Sequence, residues 1–84
     1  MTTPQEIATR VFDQFDKNHD SSVDAGMVRC MLEETFKGLN FPVTEQDENA
    51  ALEFMRNNAD DGMISKEEFV SMVQKTFANR RKNY

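Results

Sequence analysis

Val11-Phe12-Asp13-Gln14-Phe15-Asp16-Lys17-Asn18-His19-Asp20-Ser21-Ser22-Val23-Asp24 is the stretch on which the reading of this chain turns. Its first part is an aromatic approach, with Val11, Phe12 and Phe15 at helical spacing. Its second part carries an oxygen-bearing side chain at every second position: Asp16, Asn18, Asp20, Ser22 and Asp24. A tight turn built this way aims its oxygens at one centre, and hard oxygen donors suit a hard cation such as Ca²⁺.

Working outward, the second half of the chain repeats the plan. Downstream landmarks differ by 41 positions: Val23 against Ile64, Met27 against Glu68, Val28 against Phe69. The helices that enter the two connections differ by 40: Phe12 against Leu52 and Phe15 against Met55. One extra residue is therefore expected in the second connection. Two helix–loop–helix units of this kind each leave an apolar face that neither buries alone, so they are expected to pair. Val23 and Ile64 then meet in a short two-stranded contact between the loops.

The stretch from Asp16 resembles the calcium loop of the EF-hand superfamily, D-x-[DN]-x-[DN]-G followed by five residues and Glu. Asp61-Gly62-Met63-Ile64 and Glu68-Phe69 resemble the second half of such a loop. The resemblance covers residues 4 to about 78 and implies an all-α fold of paired EF-hands, similar to one calmodulin-like lobe or a small myosin light chain. It implies a single domain over 1–84, with a first unit at about 4–37, a linker at 38–43, a second unit at about 44–78 and a basic tail at 79–84.

The departures from that pattern bear on the ion. Ser21 stands where the turn glycine belongs, and Met27 stands where the closing glutamate supplies two oxygens. A thioether is a soft ligand and a poor match for Ca²⁺. In the second connection, counting back from Gly62 puts Asn57 first and Ala59 third, whereas the helix register puts Arg56 first. Either register damages the site. No tight metal site and no required cofactor are expected; the residual candidates for weak calcium are Asp16, Asn18, Asp20, Ser22 and Asp24, and Asn58, Asp60 and Glu68.

Four helices are expected near 4–15, 25–37, 45–55 and 66–78. Thr3-Pro4-Gln5-Glu6 is a capping-box start for the first, and Ile7, Ala8, Val11, Phe12 and Phe15 form its apolar face. Met27, Val28, Met31, Leu32 and Phe36 mark the second, with Gly38 as its stop. Thr44 caps the third, whose stripe is Ala51, Leu52 and Met55, with Phe54 off the stripe. Ser65 caps the fourth, which carries Phe69, Met72, Val73 and Phe77.

Eighty-four residues make one small domain with a marginal core. The 38% hydrophobic content is spread over short periodic segments, so neither a transmembrane span nor a signal peptide is expected. The single cysteine, Cys30, cannot form an internal disulfide, favours a reducing, cytoplasmic setting, and reads as a small apolar filler on a helix. His19 has no partner at a zinc spacing and reads as exposed and inert. No catalytic or nucleotide-binding motif is present, and the chain reads as a non-enzyme.

Charge divides unevenly. Residues 1–74 hold all fifteen acids and six bases, for −9, while Lys75, Arg80, Arg81 and Lys82 give the last ten residues +4. An acidic body points away from nucleic acid and towards a basic partner or cations. The tail suits a solvated helix C-terminus, or a weak contact with a membrane or with the body. Six methionines and seven phenylalanines are many adaptable apolar groups for so small a chain. By the resemblance, Phe12, Phe15, Met31, Leu32, Phe36, Met55 and Met72 line a groove for a basic amphipathic helix of a larger protein, such as an IQ-type myosin neck helix, with little or no calcium control. A calcium sensor or buffer with a weak, non-standard site is the alternative, and a structural subunit of a larger assembly the second alternative.

Overall fold

The computed structural model describes residues 3–82. In chain order it contains α1 (Pro4–Phe15), β1 (Ser22–Asp24), one 3₁₀ turn (Ala25–Met27), α2 (Val28–Gly38), α3 (Glu45–Asn58), β2 (Met63–Ser65) and α4 (Lys66–Lys82). The described residues are mostly helical, with one small two-stranded sheet. Of the basic tail expected at 79–84, Asn83, Tyr84 and the side chains of residues 80–82 lie outside the described residues.

The helix starts follow from local polar chemistry. The first N–H groups of a helix have no partner inside it, and a capping side chain supplies one. Thr3 Oγ1 accepts from the Glu6 N–H at 3.1 Å, and Pro4 occupies the first turn, where its missing N–H costs nothing. Thr44 and Asp47 form a full reciprocal capping box, with the Asp47 N–H on Thr44 Oγ1 at 3.2 Å and the Thr44 N–H on Asp47 Oδ2 at 3.0 Å. Asp24 Oδ1 accepts from the Gly26 N–H at 2.8 Å and turns the chain through the 3₁₀ segment. The second helix therefore begins at Val28, three residues later than its periodicity suggests.

The end of α2 corrects a second expectation. Asn40, not Gly38, takes the left-handed conformation, at φ 57°. The Phe41 N–H reaches back to the Phe36 carbonyl at 2.9 Å and the Asn40 N–H to the Lys37 carbonyl at 3.0 Å, closing a Schellman motif. Its apolar partner contact is the Phe36–Phe41 ring pair, with centroids 5.9 Å apart. Gly38 has a different use. A Cβ there would stand 3.1 Å from Ile7 Cγ2, so the missing side chain lets α2 lie close to α1.

The core is the shared interior of α1, α2, α4 and the sheet. Ile7, Ala8, Val11 and Phe12 of α1 meet Val28, Met31, Leu32 and Phe36 of α2, and Phe69, Met72 and Val73 of α4, all buried. Phe12 and Phe69 rings approach to 6.2 Å between centroids. Outside this seam, Lys66 Nζ lies 2.6 Å from Asp13 Oδ1 and 5.8 Å from the Phe12 ring centroid, tying the start of α4 to α1. Thr35, buried in α2, returns its hydroxyl to the Met31 carbonyl at 2.7 Å.

α3 runs three residues beyond its expected end, because Arg56, Asn57 and Asn58 continue the helix. It also turns differently from its sequence stripe. Ala51 is buried, whereas Leu52 is exposed, so the repeat that equates Leu52 with buried Phe12 does not carry through to packing. Cys30 is exposed on α2 and is not the core filler expected.

The sheet joins the halves. β1 and β2 are antiparallel, with Ser22 opposite Ser65, Val23 opposite Ile64 and Asp24 opposite Met63. Val23 and Ile64 are both buried, as expected of the one apolar position in each loop. The ladder extends past both strand ends, with the Ala25 N–H on the Gly62 carbonyl at 2.8 Å and the Lys66 N–H on the Ser21 carbonyl at 3.1 Å.

Asn40 provides a clean check of the α2 terminus. A β-branched residue in the left-handed region costs about 1–2 kcal/mol. Asn40→Val is therefore expected to lower unfolding free energy by about that amount in a urea titration, while Asn40→Gly stays within a few tenths of wild type. Equal stabilities for the two variants would count against this terminus.

Candidate functional site

The first connection, between α1 and β1, is organised by two aspartates. Asp16 caps the end of α1, donating its own N–H to the Phe12 carbonyl at 2.9 Å, and is buried. Its carboxylate accepts from the Asp20 N–H at 3.3 Å and from the Ser21 N–H at 2.9 Å, folding the turn around itself. Asp20 Oδ1 in turn accepts from the Ser22 N–H at 3.2 Å and the Ser22 hydroxyl at 3.1 Å. These bonds hold the Asp20 carboxyl below the ordinary aspartate range, the Ser22 hydroxyl first and its amide second. Asn18 is exposed, and Asp24 is exposed and committed to the Gly26 amide. Met27 is 40% exposed, and its thioether adds nothing to the turn.

Ser21 sits at φ 63° and His19 at φ 54°, both in the left-handed region that glycine enters most easily. The turn keeps its shape without the glycine, at the cost of backbone strain.

The second connection is built differently. α3 continues to Asn58, so only Ala59 to Gly62 remain before β2. Asp61 at φ 54° and Gly62 at φ 78° are the paired positive-φ residues of a type I′ turn. The Asp60 and Met63 backbones exchange both hydrogen bonds at 3.0 Å, closing a two-residue hairpin. An extra residue was expected here; the extension of α3 makes the connection shorter than the first. Asn58 is the last residue of α3 and donates its amide to the Phe54 carbonyl at 2.9 Å. Glu68 closes a capping box on α4, with the Ser65 N–H on Glu68 Oε1 at 3.0 Å and the Glu68 N–H on Ser65 Oγ at 3.2 Å. Asp60 is exposed in the hairpin. Among the described residues, no three His, Cys, Asp or Glu side chains are grouped to hold a metal ion.

Of the seven residues expected to line a groove, Phe12, Met31, Leu32, Phe36 and Met72 are buried in the core, and Phe15 and Met55 are packed against it half-buried. They are brought together, but as an interior. Periodicity identifies such a set equally well whether it faces a core or a ligand, and only tertiary packing separates the two. Missed from the sequence were the caps made by Asp47 and Glu68. Both stand three residues after a Thr or Ser, so the spacing rule could have found them.

A calcium and calcium/calmodulin-dependent serine/threonine-protein kinase of Lilium longiflorum is 38% identical to this chain over 69 residues. The aligned part is 81% of this chain and 12% of the kinase, so the chain spans a small fraction of that relative. No family model matches the chain. No solved structure matches it. No helix among the described residues is long and apolar enough to cross a membrane.

Two outcomes test the first connection. Ser21→Gly relieves the left-handed strain and is expected to raise unfolding free energy by about 0.5–1 kcal/mol, part of the 1–2 kcal/mol being returned as unfolded-chain entropy. Ser22→Ala is expected to raise the Asp20 pKa towards the ordinary range, read by carboxyl-carbon NMR. Because the folded value is depressed, the stability from Asp20 is present above the unfolded aspartate pKa and lost as pH falls through the lower folded one. Ser22→Ala narrows that acid window. An Asp20 pKa unmoved by Ser22→Ala would remove the serine from this role.

Proposed function

We propose that this chain is a paired EF-hand lobe, non-enzymatic, that docks a basic amphipathic helix of a partner protein with little or no control by calcium. The observation that carries this reading is the second connection. There the loop has become a type I′ hairpin, and Glu68, at the closing position, is committed to capping α4. The inter-loop strand contact nevertheless persists. Backbone pairing and caps thus set the angle between helices, a task that bound calcium performs in a sensor lobe. The acidic body supports a cationic partner through steering and complementarity. Docking into the core requires the lobe to open. A lobe competent one time in a hundred would lose about 2.7 kcal/mol of apparent affinity.

A second reading, a weak calcium site in the first connection, is favoured by the inward-turned Asp16 and by the calcium named in the Lilium longiflorum kinase. A carboxylate has about four acceptor sites, so the amide bonds to Asp16 leave lone pairs for a cation. The two readings part on one measurement. A basic amphipathic peptide is expected to bind with similar affinity in chelator and in calcium, and calorimetry is expected to show calcium affinity no better than about 10⁻⁴ M. Met27→Glu, at an exposed position, is expected to strengthen calcium binding at least tenfold, since it returns the closing carboxylate. Peptide binding that appears only with calcium would overturn the first reading in favour of the second.

A further inference from the structure

α3 differs from the other helices in what it leaves uncovered. α1 buries Ile7, Val11 and Phe12; α2 buries Val28, Met31, Leu32 and Phe36; α4 buries Phe69, Met72 and Val73. α3 has three large apolar side chains and buries none of them: Leu52 is 37% exposed, and Phe54 and Met55 are half-buried. One exposed leucine is ordinary on any protein surface. A helix whose every large apolar residue is left wholly or partly uncovered is not what a packed four-helix unit gives, and the 14-residue length of α3 adds to the exposed edge.

Position on the helix turns this into a strip. Glu48, Leu52 and Met55 follow one another at spacings of four and three, which is a single flank of a helix. Glu45 lies nearly two turns before Leu52 on the same flank, and Arg56 lies about one turn after it. The flank therefore has an acidic N-terminal half and a single base near its C-terminal end. α3 as a whole holds four acids, Glu45, Asp47, Glu48 and Glu53, against Arg56. Glu48 already accepts one cation, with Arg29 Nη2 at 2.6 Å from its carboxylate, which shows how this flank meets a guanidinium.

The geometry points to this α3 flank as a docking edge for a basic amphipathic helix, with Leu52 and Met55 as its apolar contact and Glu45, exposed, facing the partner's cations. The occupant is a cationic protein helix by charge complementarity: an apolar strip bordered by carboxylates matches an apolar strip bordered by Lys or Arg. Such contact needs no opening of the core, because Leu52 is already at the surface. This inference rests on the lobe being a docking module, and it assigns the partner to the outside of α3 in place of the interior set headed by Met31 and Phe36.

The test uses the whole chain, isotope-labelled, and a synthetic amphipathic helix of leucine, lysine and alanine. Controls are the same peptide scrambled to destroy its apolar face, and a version with Glu for Lys. Amide shifts are expected at Glu48, Leu52, Phe54 and Met55, with those of Phe12, Met31, Leu32 and Phe36 nearly still. Leu52→Ser and Glu45→Lys, both at exposed positions, are expected to weaken binding about tenfold each with helical content unchanged by circular dichroism. Glu45→Lys is also expected to flatten the salt dependence. Binding that leaves Leu52→Ser unaffected and shifts core amides instead would overturn the α3 edge while leaving the docking lobe standing. No binding of the basic peptide would defeat both. Equal binding of the Glu version or the scrambled peptide would overturn the stated chemistry. Self-association in sedimentation that Leu52→Ser abolishes would assign the flank to a second copy of this chain and overturn the partner helix.

Discussion

Two three-residue strands hold this molecule together. Neither helix–loop–helix unit can bury its apolar face alone, and a two-stranded sheet by itself is barely stable in water. Each therefore depends on the other. Val23 and Ile64 sit opposite one another and are buried beneath the ladder, which runs on through Ala25 to Gly62 and through Lys66 to Ser21. Because the ladder ends directly at the first residue of α4 and at the 3₁₀ turn before α2, its register fixes where both exiting helices begin. A slip of one residue would turn Val23 and Ile64 to the outside and misplace both helices at once.

The second theme is where the carboxylates go. In a loop built to hold an ion, acids at these positions spend their charge on the cation. Here most of the acids near the two connections have structural work in the backbone. Asp16 gathers two amides of its own turn, Asp20 collects Ser22, Asp24 turns the chain into α2, and Glu68 closes the cap of α4. Charged acceptors on backbone N–H groups are among the stronger hydrogen bonds a protein makes, and each satisfies a donor that would otherwise be left at a helix end or turn. The two halves divide in this respect. The first connection keeps an inward-facing aspartate with spare lone pairs. The second has exchanged its loop for the tightest hairpin available, Asp61-Gly62, whose positive φ values match the twist of the strands.

The extension of α3 is the counterpart of that hairpin. Residues 56–58, which on the repeat should open a loop, stay helical, so the chain reaches β2 with only a four-residue connection. Packing shows the consequence. α1, α2 and α4 share the core, with Lys66 drawn onto Asp13 and the Phe12 ring at the start of α4. α3 contributes Ala51 and the capping Asp47 to the buried set and leaves Leu52 outside. The molecule is thus less symmetric than its repeat, with one helix whose apolar surface is available and whose charge is mostly negative.

What the sequence determined by itself was the plan: four helices, and Val23 opposite Ile64 in one short two-stranded contact. Those follow from signals that act over a few residues, namely caps, apolar periodicity and the alternation of oxygens from Asp16. The turn built on Asp16 and Asp20 depends on equally short-range signals, since their bonds close within five positions. Tertiary structure decided the rest. Apolar periodicity cannot tell Leu52 from Ala51 as the inward residue, because both lie on the apolar side of α3 and only the neighbours choose between them. It could not place Cys30 outside, since burial of a small side chain depends on what lies opposite it. α2 does end at Gly38, but the left-handed residue that closes the end is Asn40, and the nearness of Ile7 gives the glycine a second use. Arg56, Asn57 and Asn58 were likewise expected in the second connection and belong to α3, because the choice between loop and longer helix is made where β2 must meet β1, a contact some forty residues away in the chain.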